Sequence, residues 1–342
     1  VKLVLGLDDA CVEIAAMLAA RFGVAQNLPQ TAQFSARKDL FRQHLLETGV
    51  PVPLFSLLPA DHDRPGEVIP CEPPWVVKPI DLSASRGVIR ANDCEQLQRA
   101  VSRSRRIATD AGSSGSLLIE QYIDGTEIAV DAIIGSSGLR SLAIFDKPEP
   151  LTGPFFEESI YVTPTCLSDS MQARVQQILE QTCRALGIVT GPVHAEFRIT
   201  EQEAWILELA TRTIGGDCGN IFRTLLPVTI ERLVLENALG IDHKIALSGA
   251  AGVCMLPVKK SGVLRRVNGV AAAEKIEGVT EVAISIREGY ELTPWPEGCG
   301  YPGFVFAEGD RPESVVSALV AAASTIEFNV GPRFPVSLGT TE

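Results

Sequence analysis

Apolar and polar positions alternate most clearly between residues 194 and 210. The run H-A-E-F-R-I-T (194–200) and the run A-W-I-L-E-L-A (204–210) flank a polar E-Q-E centre. Period-two alternation with β-branched and aromatic residues predicts a β-hairpin, here with a three-residue turn at 201–203. In that register Ile199 faces Trp205, Arg198 faces Ile206, Phe197 faces Leu207, and Glu196 faces Glu208. Ala195, Phe197 and Ile199 then share a core face with Leu209, Leu207 and Trp205. The other face sets two carboxylates directly opposite each other.

Elsewhere the pattern shifts between helical and strand periods. Residues 9–22 repeat at helical spacing, with Ile14, Leu18 and Phe22 on one face. Residues 35–49 predict a second helix with Ser35 as N-cap and Gly49 as its stop. Lys38 falls in its first turn, an end that disfavours cations. Strands are expected at 54–57, 75–79, 117–123, 127–134 and 139–146, and a helix at 93–104 capped by Asp93. Residues 147–166, with four prolines, predict a loop. A long amphipathic helix follows at 169–186, and another at about 227–239. Near residue 250 the texture changes to short strands, Gly and Pro turns and one helix at 312–323, which predicts a separate small α+β lobe.

The chain has 342 residues, enough for two or three domains, and is 46% apolar and 21% charged. A net charge of −12 argues against nucleic acid or an anionic membrane as the main partner, so an anionic substrate must meet local cations. The eight cysteines include no C-x-x-C pair and read as free thiols of a reducing cytosol, giving a cytoplasmic expectation. No apolar run is long enough to span a bilayer.

The opposed acids call for a reason. Directly facing residues sit with Cβ atoms about 5 Å apart, where two carboxylates repel by roughly 1–4 kcal/mol. A shared proton is one answer, a divalent cation the better one, and an exposed hairpin with splayed acids the plain alternative. Lysine is scarce, eight against twenty-two arginines, yet Lys78 interrupts the apolar run W-V-V-K-P. A lysine in a buried strand needs an anionic partner. The loop D-L-S-A-S-R-G-V (81–88) follows, with small residues that let backbone N–H groups approach phosphate oxygens. It is not a Walker loop. Next, E-Q-Y-I-D-G-T-E (120–127) offers strand-edge backbone groups for an adenine edge and Glu127 for ribose hydroxyls. Arg212 follows the acid pair and suits a phosphate or carboxylate. His194 shares the face of Glu196, where a structural hydrogen-bonding role outweighs that of a general base. Taken singly, each of these has an ordinary structural alternative.

Their order carries more. A lysine at a helix start, a strand lysine with a small-residue loop, E-x-x-I with a trailing Glu, and then Glu and E-x-x-x-R on a hairpin together resemble the ATP-grasp superfamily, from about residue 35 to 240. The resemblance implies an α/β fold with α+β subdomains. It divides the chain into a remnant of an N-terminal region with a linking helix (1–50), a small lid subdomain (51–124), a large subdomain with the metal site (125–248) and a C-terminal α+β lobe (249–342). The N-terminal α/β region is expected to be truncated. Lys38 and Lys78 would meet ATP. Ser83, Ser85, Arg86, Gly87 and Val88 would form a phosphate lid. Glu120, Gln121, Tyr122 and Ile123 would form the adenine hinge, and Glu127 the ribose ligand. Glu196 and Glu208 would hold Mg²⁺, with Mn²⁺ as the alternative, and Arg212 a phosphate. Where the family usually has E-x-N-x-R, this chain has Ala210, which puts the second metal position in question.

F-E-E-S-I-Y-V-T-P (156–164) and the segments S-G-V-L (261–264), I-E-G-V-T-E-V (276–282) and G-F-V-F-A (303–307) resemble the L-amino-acid ligase branch. That branch implies Glu158 as receptor for a substrate ammonium, Lys78, Arg212 and Glu158 as the catalytic set, and amide formation through an acyl phosphate. Small carboxylate and amine substrates are then the expected partners, and the apolar C-terminal lobe is a candidate homodimer surface. Lactam closure, carboxyphosphate formation and nucleotide binding without turnover remain alternatives.

Overall fold

The computed structural model describes residues 1–24, 26–241 and 247–333. The rest, including the last nine residues of the expected C-terminal lobe, lie outside the described chain. Three helices open it: α1 (Asp9–Phe22), α2 (Pro29–Ala36) and α3 (Lys38–Glu47). A four-stranded antiparallel sheet follows, formed by β1 (Phe55–Leu58), β2 (Trp75–Pro79), β3 (Ile89–Ala91) and β4 (Leu117–Gln121) in the order β1-β4-β2-β3. Helix α4 (Cys94–Asp110), capped by the Asp93 carboxylate, lays Leu97, Ala100 and Val101 on Trp75, Val77 and Ile119. β2 is flanked on both edges and buried throughout, which is why W-V-V-K-P shows no polar alternation.

The second sheet has eight strands. In chain order they are β5 (Thr126–Gly135), β6 (Gly138–Asp146), β7 (Ile160–Thr163), β8 (Gly191–Ile199), β9 (Ala204–Ala210), β10 (Ala250–Met255), β12 (Val279–Ile284) and β14 (Gly303–Gly309). Their spatial order is β12-β14-β10-β7-β6-β5-β8-β9. Between them in sequence come α5 (Asp169–Ala185), α6 (Phe222–Leu225), α7 (Ile230–Ala238), β11 (Gly262–Asn268), α8 (Val270–Ala273) and β13 (Glu291–Leu292). Helix α9 (Pro312–Thr325) and β15 (Glu327–Gly331) close the described chain. Beyond residue 249, β10, β12 and β14 continue the large sheet, and β11, β13 and β15 make a small sheet of their own.

Alternation in β5 and β8 gives the large sheet two different faces. Ile128, Val130, Ala132, Val193, Ala195 and Phe197 pack with Phe41 and Leu45 of α3 and with Val175, Ile178 and Leu179 of α5. Burying each such side chain is worth about 1.5–3 kcal/mol. The opposite face carries Glu127, Asp131, His194, Glu196 and Arg198, with α6 and α7 covering its apolar end.

Four expectations need correction. The hairpin turn holds four residues, 200–203, because Ile199 pairs with Ala204 and the Thr200 N–H donates to the Glu203 carbonyl. That extra residue would move Glu208 off register, but a bulge at Leu207 compensates, and Glu196 pairs with Glu208 after all. Ala204 and Ile206, not Trp205 and Leu207, therefore join the core with Leu209. The helix expected over 35–49 is two helices: Arg37 is extended, Ser35 lies in the last turn of α2 rather than at a helix start, and the Lys38 N–H donates to the Ile80 carbonyl. α1 turns Ala15, Ala16 and Ala19 inward and leaves Ile14, Leu18 and Phe22 exposed, because the small alanine stripe admits the closer approach. Finally, β7 lies inside the expected loop 147–166, where S-I-Y-V-T has β-branched residues between the prolines and pairs with β10.

Candidate active site

The hairpin of β8 and β9 places Glu196 and Glu208 side by side at the mouth of a cleft, both partly exposed. Each has cations within reach. Lys38 Nζ is 3.5 Å from Glu208 Oε2, and Lys147 Nζ and His194 Nε2 lie 3.7 Å and 3.6 Å from Glu196 Oε1. Such a pair gains roughly 4 kcal/mol at an effective dielectric near 20, before desolvation is subtracted. Burial pushes the Glu196 carboxyl up, but the Lys147 charge and the His194 ring outweigh it and hold the acid well below its ordinary range. Two carboxylates on adjacent strands are a donor set of the kind a hard divalent cation takes.

Further into the cleft, Lys147 binds three acids. Its ammonium reaches Glu127 Oε1 at 2.7 Å, donates to Glu158 Oε1 and approaches Glu196. Carboxylate oxygens of Glu127, Glu158 and Glu196 all lie within 4.8 Å of one another. Desolvation lowers the Lys147 pKa, yet the three acids more than reverse it. Glu158 is pushed up, first by burial and then by Glu196 and Glu127, and accepts from the Tyr161 hydroxyl at 2.8 Å. Glu127, expected at a ribose, is buried and also accepts from Arg198 Nε at 3.0 Å.

The opposite wall reverses the balance. Glu120 is 1% exposed and lies between Lys78 Nζ at 2.6 Å and Arg42 Nε at 2.8 Å. Burial raises the Glu120 carboxyl, but Arg42 and Lys78 hold it below its ordinary value. Desolvation pushes the Lys78 ammonium down, against the pull of Glu120. Lys38 Nζ donates to the Leu82 carbonyl at 2.6 Å, which ties α3 to the 81–88 loop.

That loop is pinned from the far end of the chain. Trp295 Nε1 donates to the Ala84 carbonyl at 3.0 Å, the Gly87 N–H to the Pro296 carbonyl at 2.9 Å, and Arg86 Nε to the Glu297 carbonyl at 3.0 Å. Arg103 grips the Glu297 carboxylate with two bonds of 2.8 Å. Ala84 and Ser85 both have φ of +53°, a conformation L-residues hold only when their surroundings impose it.

The space divides accordingly. A cavity of about 80 Å³ lies among Lys38, Lys78, Glu120, Gln121, Tyr122 and Ile123. A larger one of about 560 Å³ is lined by Glu158, Tyr161, His194, Arg212, Met255 and Phe304. Ser85, Glu196 and Glu208 line both, so the acid pair stands where they join. Organic ligands occupy pockets of about 300–1,000 Å³, so the larger cavity is of substrate size. The smaller falls below that range. Arg212 lines the larger cavity with its fork engaged by Asp9 at 2.6 and 2.7 Å.

The structure therefore gathers Lys38, Lys78, Ser85, Val88, Glu120, Gln121, Tyr122, Ile123, Glu127, Glu196 and Glu208 around one cleft, with Ser83, Glu158 and Arg212 in the adjoining cavity. Arg86 and Gly87 face the 296–297 segment instead. Sequence reasoning missed Arg42, Asp131, Lys147 and Arg198. Asp131 and Lys147 carried usable signals, a charge inside or at the end of an apolar strand, as at Lys78.

Comparison with known proteins points the same way. Residues 71–221 match the family model of the ATP-grasp domain, and residues 254–331 that of L-amino acid ligase C-terminal domain 2. The chain is 26% identical over 310 residues to uncharacterized protein y4rH of Sinorhizobium fredii, spanning 89% of this chain and 63% of that protein. It is 26% identical over 226 residues to carnosine synthase 1 of Homo sapiens, covering 61% and 27% of the two chains. With the D-alanine–D-alanine ligase of Methylibium petroleiphilum it shares 28% identity over 185 residues, 51% of this chain and 56% of that one. The chain thus spans from about a quarter to under two thirds of these curated relatives. Among solved structures, an L-amino acid ligase from Bacillus licheniformis has the same fold, with a TM-score of 0.80 over 96% of this chain and 80% of that one at 24% identity. No helix among the described residues is long and apolar enough to cross a membrane.

Proposed function

We propose that this chain, which carries an ATP-grasp domain followed by an L-amino acid ligase C-terminal domain, is an ATP-dependent ligase joining a carboxylate to an amine, with amino acids as substrates. The observation that carries the reading is the opposite charge of the two cleft walls, joined at Glu196 and Glu208. A cation-rich wall suits phosphates, and an acid-rich wall beside a cavity of substrate size suits ammonium groups.

The chemistry assigned to the site has two steps. A substrate carboxylate oxygen attacks the γ-phosphorus of ATP, the bond to the bridging oxygen breaks, and ADP leaves. The amine nitrogen then attacks the acyl carbon, phosphate departs with the carbon–oxygen bond, and the amine loses a proton. Lys78, held by Glu120, and Lys38 offset the phosphate charge. Arg212 has the fork geometry for a carboxylate or phosphoryl oxygens once Asp9 yields. Glu158 accepts a substrate ammonium in place of Lys147. Glu196 and Glu208 would hold a divalent cation, Mg²⁺ or Mn²⁺, which neutralises phosphate oxygens. The 81–88 loop, anchored by Trp295 and Arg103, keeps water off the acyl phosphate.

Oxygen transfer tests the first step. With ¹⁸O-carboxylate substrate, one label should appear in the released phosphate for each amide formed. Unlabelled phosphate alongside amide would rule out the acyl phosphate.

A further inference from the structure

We propose that the amino acid donating its carboxylate has an apolar side chain of leucine, methionine or phenylalanine size, received by Met255, Phe304 and Tyr301; this rests on the ligase reading above. The position of Glu158 decides which substrate lies here. One of its carboxylate oxygens is within 4.8 Å of one of Glu196. In an α-amino acid a single carbon separates the ammonium from the carboxylate. An ammonium on Glu158 therefore brings its own carboxylate to the acid pair, where the γ-phosphate and its cation are received. The amino acid at Glu158 is the carboxylate donor, and the amine acceptor approaches from elsewhere.

The side chain of that donor has one neutral wall to meet. Tyr161 donates to Glu158 at 2.8 Å and pairs with Val253 across β7 and β10. Met255, two residues beyond Val253, shares that face and is directly paired with Phe304 on β14. Tyr301 closes the end, its ring centroid 6.1 Å from that of Phe304. Burial pushes the Tyr301 phenol up and the Glu158 charge adds to it, which marks the two as neighbours. Met255, Phe304 and Tyr301 line the same cavity as Glu158.

Among the described residues, β10, β14 and the 299–301 segment contribute no charged residue to that lining. A lysine or glutamate side chain on this wall would leave its charge against apolar surface without a partner. Alanine would leave the surface uncovered. A leucine, methionine or phenylalanine side chain covers it and gains the burial.

Hydroxylamine in place of the amine isolates the donor site. Each amino acid is offered singly with ATP, Mg²⁺ and hydroxylamine. The hydroxylamine nitrogen attacks the acyl carbon of the acyl phosphate, phosphate leaves, and the product is read as hydroxamate, with ADP measured alongside. Leucine, methionine or phenylalanine should exceed alanine in kcat/KM by at least about 10-fold, because one methylene in an apolar pocket is worth about 10–200-fold. Lysine and glutamate should fall below alanine. Met255→Ala should move the preference toward the larger side chains by about 10-fold. Tyr301→Ala, outside the sheet, makes the same test should Met255→Ala fail to fold. Hydroxamate from lysine, glutamate or alanine as good as from the apolar amino acids, or a ranking that the folded variants leave unmoved, would overturn the assignment and leave the ligase reading standing. No hydroxamate and no ADP with any amino acid would overturn the ligase reading and the inference together.

Discussion

Each wall of the cleft is built on a buried lysine, and the two walls carry opposite charge. On one, Lys78 and Arg42 share a single carboxylate, Glu120, with Lys38 close by. On the other, Lys147 is shared by Glu127, Glu158 and Glu196, with Arg198 helping at Glu127 alone. Residue types and burial are nearly the same, and the ratio differs. A buried cluster out of balance is completed by a ligand of opposite sign, because uncompensated charge in a low-dielectric site is costly. In the function proposed above, phosphates would complete the first wall and a cation or an ammonium the second. The comparison also explains why the acid pair stands at the junction, where both ligands meet.

The strongest way to break this contrast is to remove an acid from the junction. Glu208→Gln should lower ADP formation by more than about 100-fold with the fold retained, since Glu208 is partly exposed. Wild-type turnover in that variant would detach metal binding from the hairpin. Next is Lys147→Met, which leaves three acids without their shared cation. Loss of one partner from a buried ion pair costs about 3–5 kcal/mol, so the variant should melt earlier in chelator and regain much of that loss with Mn²⁺. Equal destabilisation with and without Mn²⁺ would mean that the acid cluster binds no ion.

Acid titration sharpens the other wall. The folded Glu120 carboxyl is held below its ordinary value of 4.5, so between the two values the unfolded chain binds more protons. Its stabilisation is complete above about pH 4.5 and is lost as pH falls toward the folded value. Denaturant melts from pH 6 to 3 should show a slope that Glu120→Gln reduces; an unchanged slope would assign acid lability elsewhere. The smallest effect is expected at Arg174, which grips Glu203 of the hairpin turn, partly exposed and outside the cleft. Arg174→Ala should cost about 0.5 kcal/mol and leave turnover alone. A large loss of activity would mean that the turn positions the acid pair.

The hairpin shows how far the sequence could be read. Facing acids were legible because alternation fixes which residues share a face. The turn length was not, since Thr200 caps a four-residue loop as readily as it ends a strand, and the bulge at Leu207 leaves no mark in the pattern. Two opposite displacements cancelled at Glu196 and Glu208. Lys78 was legible because a charge inside an apolar strand is conspicuous. Its partner Arg42 was hidden, because an arginine on a helix reads as surface until the tertiary fold brings it to Glu120. Lys147 was masked by neighbouring prolines that made its segment look like loop. The face of α1 was misread because bulky residues suggest a core and alanines do not, although here the alanines make the contact. The clamp of Trp295 on the 81–88 loop joins residues two hundred positions apart and has no local signature.

The central claim is amide formation driven by ATP, and the most direct test measures phosphate release across a matrix of paired amino acids with single-acid controls. The account predicts release only when a carboxylate donor and an amine acceptor are both present, matched one for one by a dipeptide in the mass spectrum. ATP bound without phosphate release under any pair, or release that ignores the amine, would contradict it.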